Sequence, residues 1–270
     1  MKTPVPVQLI RGLRIALHLI WGALTIAFCY PFLRDGRRLW LKQRWSRQLL
    51  DILAVRVDAR LNGVAPGSLI VANHISWLDI YALNATRPMA FVAKAEVRRW
   101  PLIGWLAARS DTLFIRRGCR HDAVEAVGIL AERLRRGCDV AIFPEGTTTD
   151  GSQVLAFHGA LLQAAIEAQR PLQPVSIAYY DSERRRTTVP AYAGETTMAQ
   201  CLLNILACRR LTVRLRLSPA IDPAGQTRRA LAQAARGAIA FSLGVPAATG
   251  AAEDGRDLPD DGAVAPSSVD

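Results

Sequence analysis

Seven short apolar runs of β type alternate with helical stretches through the middle of the chain. They are Val55 to Leu61, Leu69 to Asn73, Met89 to Ala93, Thr112 to Ile115, Val140 to Phe143, Val175 to Tyr179 and Leu211 to Leu217. Between and after them, apolar positions at helical spacing predict helices near 77–84, 100–109, 121–136, 159–169, 197–207 and 226–242. This alternation predicts an α/β fold, a sheet covered by helices. Ahead of the first strand, residues 36–54 read as a basic amphipathic helix with Leu39, Trp40, Leu49, Leu50 and Leu53 on its apolar side. Ser76 followed three residues later by Asp79 matches a capping box, which sets a helix start at Trp77.

The N-terminal pattern differs. From Ile15 to Leu33 there are 19 residues without a formal charge, and a helix of that length extends about 28 Å, close to the roughly 30 Å of a hydrocarbon core. Such a helix spans a membrane, or lies in the interface with Arg11 and Arg14 leading and Trp21 and Tyr30 at the headgroups; His18 and Pro31 count against spanning. A buried core helix of a soluble protein is the third possibility. No small-x-small cleavage site follows the run, so it is expected to stay on the mature chain. If it spans, Arg34, Arg37, Arg38, Lys42, Arg44 and Arg47 put the remainder on the cytoplasmic side of a bacterial-type inner membrane. The expected organisation is anchoring helices over 1–54, one catalytic domain over 55–245, and a disordered tail over 246–270, which is rich in Ala, Gly, Asp and Pro.

Charge sharpens the picture of the partners. The formal net charge is +11, but the tail holds six acids and one base, so the rest of the chain carries 33 bases against 17 acids, or +16. A field of that sign draws anionic partners: headgroups, nucleic acid or an acidic carrier protein. Five cysteines show no C-x-x-C pair and no zinc-like spacing to a histidine, which fits a reducing compartment. No metal site is expected from His18, His74, His121 and His158 at their spacings. Neither a Gly-x-Ser-x-Gly elbow nor a phosphate-binding glycine loop is present, which argues against a serine hydrolase and a nucleotide-dependent enzyme.

Candidate chemistry concentrates after two of the apolar runs. Asn73-His74-Ile75-Ser76-Trp77-Leu78-Asp79 follows Leu69 to Ala72. Residues five apart on a helix lie roughly 140° from each other, so His74 must precede the helix for Asp79, in its first turn, to reach back to the imidazole. A helix N-terminus disfavours imidazolium and a carboxylate favours it; together they hold a neutral histidine as a base with a fixed tautomer. A plain capping box with an incidental histidine fits the same residues. Val140 to Phe143 delivers Pro144-Glu145-Gly146-Thr147-Thr148-Thr149-Asp150-Gly151 at its carboxyl end, and ligands of open α/β sheets bind at carboxyl ends of strands.

His-x4-Asp after a short strand, with Phe143-Pro144-Glu145-Gly146-Thr147 about 70 residues later, resembles the glycerolipid acyltransferase family over roughly Val55 to Leu217. Thr112 to Arg117 resembles the family's second block, with Arg117 at the acceptor-binding arginine and Arg116 beside it, and Gln173-Pro174-Val175 falls at its fourth block. Phe91 to Lys94 also resembles a family segment. The resemblance implies that His74 is the base for an acceptor hydroxyl and that Asp79 orients it. It further implies that Glu145, Gly146, Thr147 and Thr148 line the acceptor site. The acyl group would come from a thioester of acyl carrier protein or coenzyme A as co-substrate, without a cofactor, to a lysolipid in a membrane. Departures bear on the acceptor. Thr148 stands where lysophosphatidate enzymes of the family have arginine, Thr149 where they have serine, His158 where many have lysine, and Asp111 where the second block has glycine, a negative charge expected near Arg117. The Phe-Pro-Glu-Gly-Thr-Thr-x-Asp-Gly form is similar to that of lyso-ornithine lipid acyltransferases, which makes that lysolipid the expected acceptor and lysophosphatidate the alternative. A non-enzymatic cationic protein on membranes or nucleic acid would leave both motifs unexplained, and no nucleic-acid partner is expected.

Overall fold

The structure, a computed structural model, describes residues 3–116 and 120–248. Its strands are β1 (Val55–Arg60), β2 (Leu69–Ala72), β3 (Ala90–Lys94), β4 (Leu113–Ile115), β5 (Val140–Ile142), β6 (Leu172–Tyr180) and β7 (Leu211–Leu217). They form one sheet in the order β1-β7-β6-β2-β5-β3-β4, parallel throughout except for the antiparallel β6–β7 pair. Every residue of β2 is buried, as expected for a central strand with helices over both faces.

The helices are α1 (Val5–Leu24), α2 (Asp35–Ile52), α3 (Leu78–Thr86), α4 (Ile103–Arg109), α5 (Arg120–Arg135), α6 (Gln163–Ala168), α7 (Met198–Ala207) and α8 (Arg228–Leu243). One face of the sheet packs Leu49, Leu50, Leu78, Leu83 and Ile205 of α2, α3 and α7. The other packs Leu130, Leu134, Ala165, Leu231 and Ile239 of α5, α6 and α8. Helix α4 links the parallel strands β3 and β4 in the direction in which α3 links β2 and β3, so right-handed crossovers put it on the α2–α3 face. Lys42 of α2 donates to Ser110 O, one residue past α4, at 2.8 Å, which fixes that placement.

The expected mixture of sheet and covering helices is what the chain forms, with several displaced boundaries, two of which bear on the site. Pro174 points to a strand start at Val175, yet β6 begins at Leu172. The amide of Leu172 donates to Ile221 O at 3.0 Å, and two residues on Pro174 has no N–H to offer on that side. The side-chain amide of Gln173 takes its place, donating to Ser218 O at 2.7 Å, while Ser218 N donates to Pro174 O at 3.1 Å. At the other boundary, α3 starts at Leu78 rather than Trp77.

The N-terminal segment runs as one helix from Val5 to Phe32, α-helical to Leu24, wider over Thr25–Cys29 and tighter over Tyr30–Phe32. It lies along the body. Arg11 donates to Cys208 O at 2.7 Å beyond the end of α7, and His18 stacks on Trp45 of α2 with ring centroids 4.5 Å apart. A Cβ on Gly22 would come within 2.5 Å of the Trp45 indole nitrogen, so glycine allows the close approach. Gln8, Arg11, Ile15, His18, Gly22 and Ile26 make the inward stripe, whereas Leu9, Ile10, Leu13, Leu17, Ile20, Trp21, Leu24 and Phe28 point outward. The amphipathicity is inverted relative to a helix facing water. At the other end, Pro246–Ala248 pair with Val154, two of the bonds being Val154 N to Pro246 O at 3.1 Å and Ala248 N to Val154 O at 3.0 Å. Beyond them, the expected tail lies outside the described residues.

Candidate active site

Because β2, β5, β3, β4 and β6 all point the same way, their carboxyl ends form one edge of the sheet. His74 and Glu145 follow β2 and β5, Arg116 follows β4, and Tyr179 is the penultimate residue of β6.

Asn73 ends β2 by mimicking one more residue of ladder. Its side-chain oxygen accepts from Ile177 N at 2.8 Å and its amide donates to Ile177 O at 3.0 Å. The chain then turns before α3, and Asp79, fully buried in the first turn of that helix, reaches back. Its Oδ2 lies 2.8 Å from His74 Nδ1 and accepts from Ile75 N at 2.7 Å and Ser76 N at 2.9 Å. Its Oδ1 accepts from the Tyr179 hydroxyl at 2.7 Å. Burial, and then the neighbouring Asp79 charge, push the Tyr179 hydroxyl well above the ordinary tyrosine range, so it stays a donor. The Ser76 hydroxyl oxygen accepts from Leu78 N at 3.3 Å rather than from the Asp79 amide that a full capping box would use.

The carboxylate that caps the turn is thus the one that holds the histidine. With Oδ2 already accepting two backbone N–H groups, Nδ1 is the protonated nitrogen, and Nε2 presents a lone pair. Among the described residues Nε2 has no hydrogen-bond partner. The ring is flanked by Phe143, stacked at a centroid distance of 3.9 Å and an interplanar angle of 10°, and keeps 18% of its side-chain surface open. This arrangement can take a proton at Nε2 while Asp79 stabilises the resulting imidazolium.

Glu145 sits beneath this turn. Its Oε1 accepts from His74 N at 2.8 Å and its Oε2 from Leu155 N at 3.2 Å. Burial raises its pKa to about 7, against the pull of those two donors. Gly146 has φ of +68°, a left-handed conformation that glycine adopts at no steric cost, and its N–H closes the turn on Phe143 O at 3.0 Å. Thr147 is exposed. The Thr148 hydroxyl donates to Tyr192 O, and Tyr192 N donates to Ile75 O at 2.9 Å. Thr149 N donates to His74 O at 2.8 Å. The two sequence motifs are therefore knitted together through backbone groups.

Arg116 lies three strands from His74, roughly 14 Å at the usual spacing, and its guanidinium meets Asp122 at 2.7 Å through Nε and again through Nη2. Arg117 lies outside the described residues. Asp111 does not border this end of β4. It precedes the strand, about 16 Å of extended chain before Arg116, and lies 4.0 Å from Lys42 Nζ. Relative to Arg116, that charge stands at the other end of β4. Sequence reasoning missed Tyr179, Phe143 as the face of the histidine, and Tyr192. Only a polar-tipped residue at the end of an apolar strand could have flagged Tyr179. Among the described residues no three His, Cys, Asp or Glu side chains come together as a metal site.

A family model described as Acyltransferase matches residues 55–178. A protein of Pseudomonas aeruginosa named lyso-ornithine lipid O-acyltransferase is 42% identical over 211 residues, covering 75% of this chain and 80% of the relative. A 1-acyl-sn-glycerol-3-phosphate acyltransferase of Neisseria meningitidis is 40% identical over 149 residues, 55% of this chain and 58% of the relative. The crystal structure of the 1-acyl-sn-glycerophosphate acyltransferase PlsC from Thermotoga maritima superposes with a TM-score of 0.64 at 23% identity, covering 88% of this chain and 96% of that one, a likeness of fold.

Proposed function

The chain belongs to the acyltransferase family, an enzyme family of lipid synthesis, and from that premise we propose a membrane-bound lysolipid O-acyltransferase in which His74 is the base. The observation that carries the assignment is the 2.8 Å contact of His74 Nδ1 with an Asp79 carboxylate that has three further donors, leaving Nε2 to accept a proton. Nε2 takes the proton of the acceptor hydroxyl as its oxygen bonds to the thioester carbonyl carbon. The carbonyl oxygen becomes an oxyanion, which needs backbone N–H donors at hand. When the carbon–sulfur bond breaks, the thiolate leaves and recovers the proton from the imidazolium. No covalent acyl-enzyme is required.

The donor is a thioester of acyl carrier protein or coenzyme A; both are anionic and suit a cationic chain. For the acceptor we favour lyso-ornithine lipid. The Thr148 side chain is uncharged and engaged with Tyr192 O, so it supplies no cation for a phosphate, and the Pseudomonas relative carries that name over most of its length. Arg116, already paired with Asp122, and Arg117 are the cations we assign to the headgroup carboxylate, with Gly146 and Thr147 beside the acceptor. Lysophosphatidate is the second reading, supported by the Neisseria relative. The outward apolar stripe of α1 supports a helix bedded in one leaflet of a membrane, and we place it on the cytoplasmic side of the inner membrane, where the acyl thioesters are. Purified protein given both lysolipids side by side with acyl carrier protein and coenzyme A thioesters should release thiol only with an acceptor present, faster with lyso-ornithine lipid. His74→Ala should abolish the release; full turnover by that variant sinks the assignment.

A further inference from the structure

Four of the six tryptophans are open on the surface: Trp21, Trp40, Trp100 and Trp105, at 63%, 48%, 40% and 38% exposure. Trp21 belongs to the outward stripe of α1. Trp100 and Trp105 belong to another part of the chain, the segment from Arg98 to Arg109 that includes α4, and Leu102 between them is also exposed at 40%. Arg98, Arg99 and Arg109 flank these apolar side chains. Arg109 lies over the Trp105 ring at 5.8 Å and Arg98 over Phe114 at 5.9 Å. Leu102 has φ of +60°, a conformation disfavoured for leucine, at the residue that turns the chain into α4. Nothing within the described protein covers this apolar group, and tryptophan flanked by arginine is the composition that settles at the headgroup level of a bilayer.

The position agrees with the composition. Helix α4 is on the α2–α3 face of the sheet, the face on which α1 lies, and Lys42 ties its far end to α2 two residues from the exposed Trp40. Burial, and then the charge of Asp111 just past α4, push the hydroxyl of Tyr30, near the end of the N-terminal helix, above the ordinary tyrosine range. Both elements therefore lie on one side of the sheet.

We infer that Arg98 to Arg109 is a second membrane-contact element, in which Trp100, Leu102 and Trp105 enter the interface and Arg98 and Arg99 meet anionic headgroups. It rests on the reading that α1 beds in a membrane. With α1 it makes two separated contacts, which fix the tilt of the protein on the bilayer. The segment leaves β3 at the carboxyl edge of the sheet, so the second contact brings the His74 edge toward the surface from which a lysolipid must come.

The test uses the full-length protein and vesicles of phosphatidylglycerol or phosphatidylcholine, with lipids brominated near the glycerol end of their chains to quench tryptophan. Wild type is compared with Trp21→Phe and Trp105→Phe, after each is shown to unfold in detergent at the wild-type temperature. Each substitution should remove a share of the quenched emission. Arg98→Gln and Arg99→Gln should each weaken binding to phosphatidylglycerol vesicles by about fivefold and leave binding to phosphatidylcholine unchanged. If Trp21→Phe alone removes quenched emission, the second contact is overturned while the anchor stands. If neither does, both are overturned, and wild-type affinity of the arginine variants for phosphatidylglycerol removes the headgroup contact.

Discussion

Asp79 receives four hydrogen bonds, and only one comes from the residue it is proposed to serve. The Tyr179 hydroxyl is the donor that can be deleted with least change of shape. Tyr179→Phe leaves a buried carboxylate oxygen unpaired, a cost of about 1–3 kcal/mol, and if the transition state bears it, turnover should fall roughly ten- to hundredfold. The pH–rate profile should move as well, because the same carboxylate would steady the imidazolium; an unmoved profile would reduce Tyr179 to a packing residue. Glu145 carries a different expectation. Its pKa rises from 4.5 to about 7 on burial, so between those values the folded protein holds a proton that the unfolded chain has released, and stability falls as pH rises through that window. The span corresponds to roughly 3 kcal/mol at most. Melting temperature in detergent should therefore decline from pH 4.5 to 7 and level off, and Glu145→Gln should flatten the decline. Sequence could pair His74 with Asp79, because both lie within one heptapeptide. It could not supply Tyr179, which comes from a strand 100 residues away.

Strand and helix identities were readable because the sheet is covered on both sides, so its strands appear as continuous apolar runs. Boundaries were less readable where a side chain substitutes for backbone. Gln173 does so beside Pro174, and Asn73 does so at the end of β2. The second case sets the register of the turn that carries His74. Asn73→Ala would leave the buried N–H and C=O of Ile177 without their partners, and at about 1–3 kcal/mol for each group the protein should lose roughly 2–6 kcal/mol in denaturant titrations. Activity should drop further than stability explains, since the turn loses its tether to β6. A variant that melts like wild type would show that water replaces the amide. The family resemblance points to Glu145 and Thr148 as parts of an acceptor site; the structure adds that both also bind loops through their polar atoms, a second role that residue type alone does not reveal.

At the scale of the whole protein, the open question at the N-terminus was whether an apolar helix spans, lies flat or is buried. Helical spacing could mark the segment as apolar but not say which side meets the body, because its inward stripe is the polar one. Arg11 and His18 face α7 and α2, whereas Leu13 and Leu17 face outward. A spanning helix would have to leave these contacts along most of its length; a helix bedded in one leaflet keeps them. Leu13→Glu with Leu17→Glu separates the possibilities, since neither side chain supports the fold. Burying a leucine is worth about 1.5–3 kcal/mol, so the pair should cost roughly 3–6 kcal/mol of membrane affinity and move much of the protein to the soluble fraction. Melting in detergent should be unchanged, and thiol release from lysolipid in mixed micelles should persist, because the His74 edge is untouched. If the double variant stays on membranes like wild type, α1 is not the principal anchor. If it unfolds, the stripe packs against protein, and the inverted pattern marks an interface with another chain.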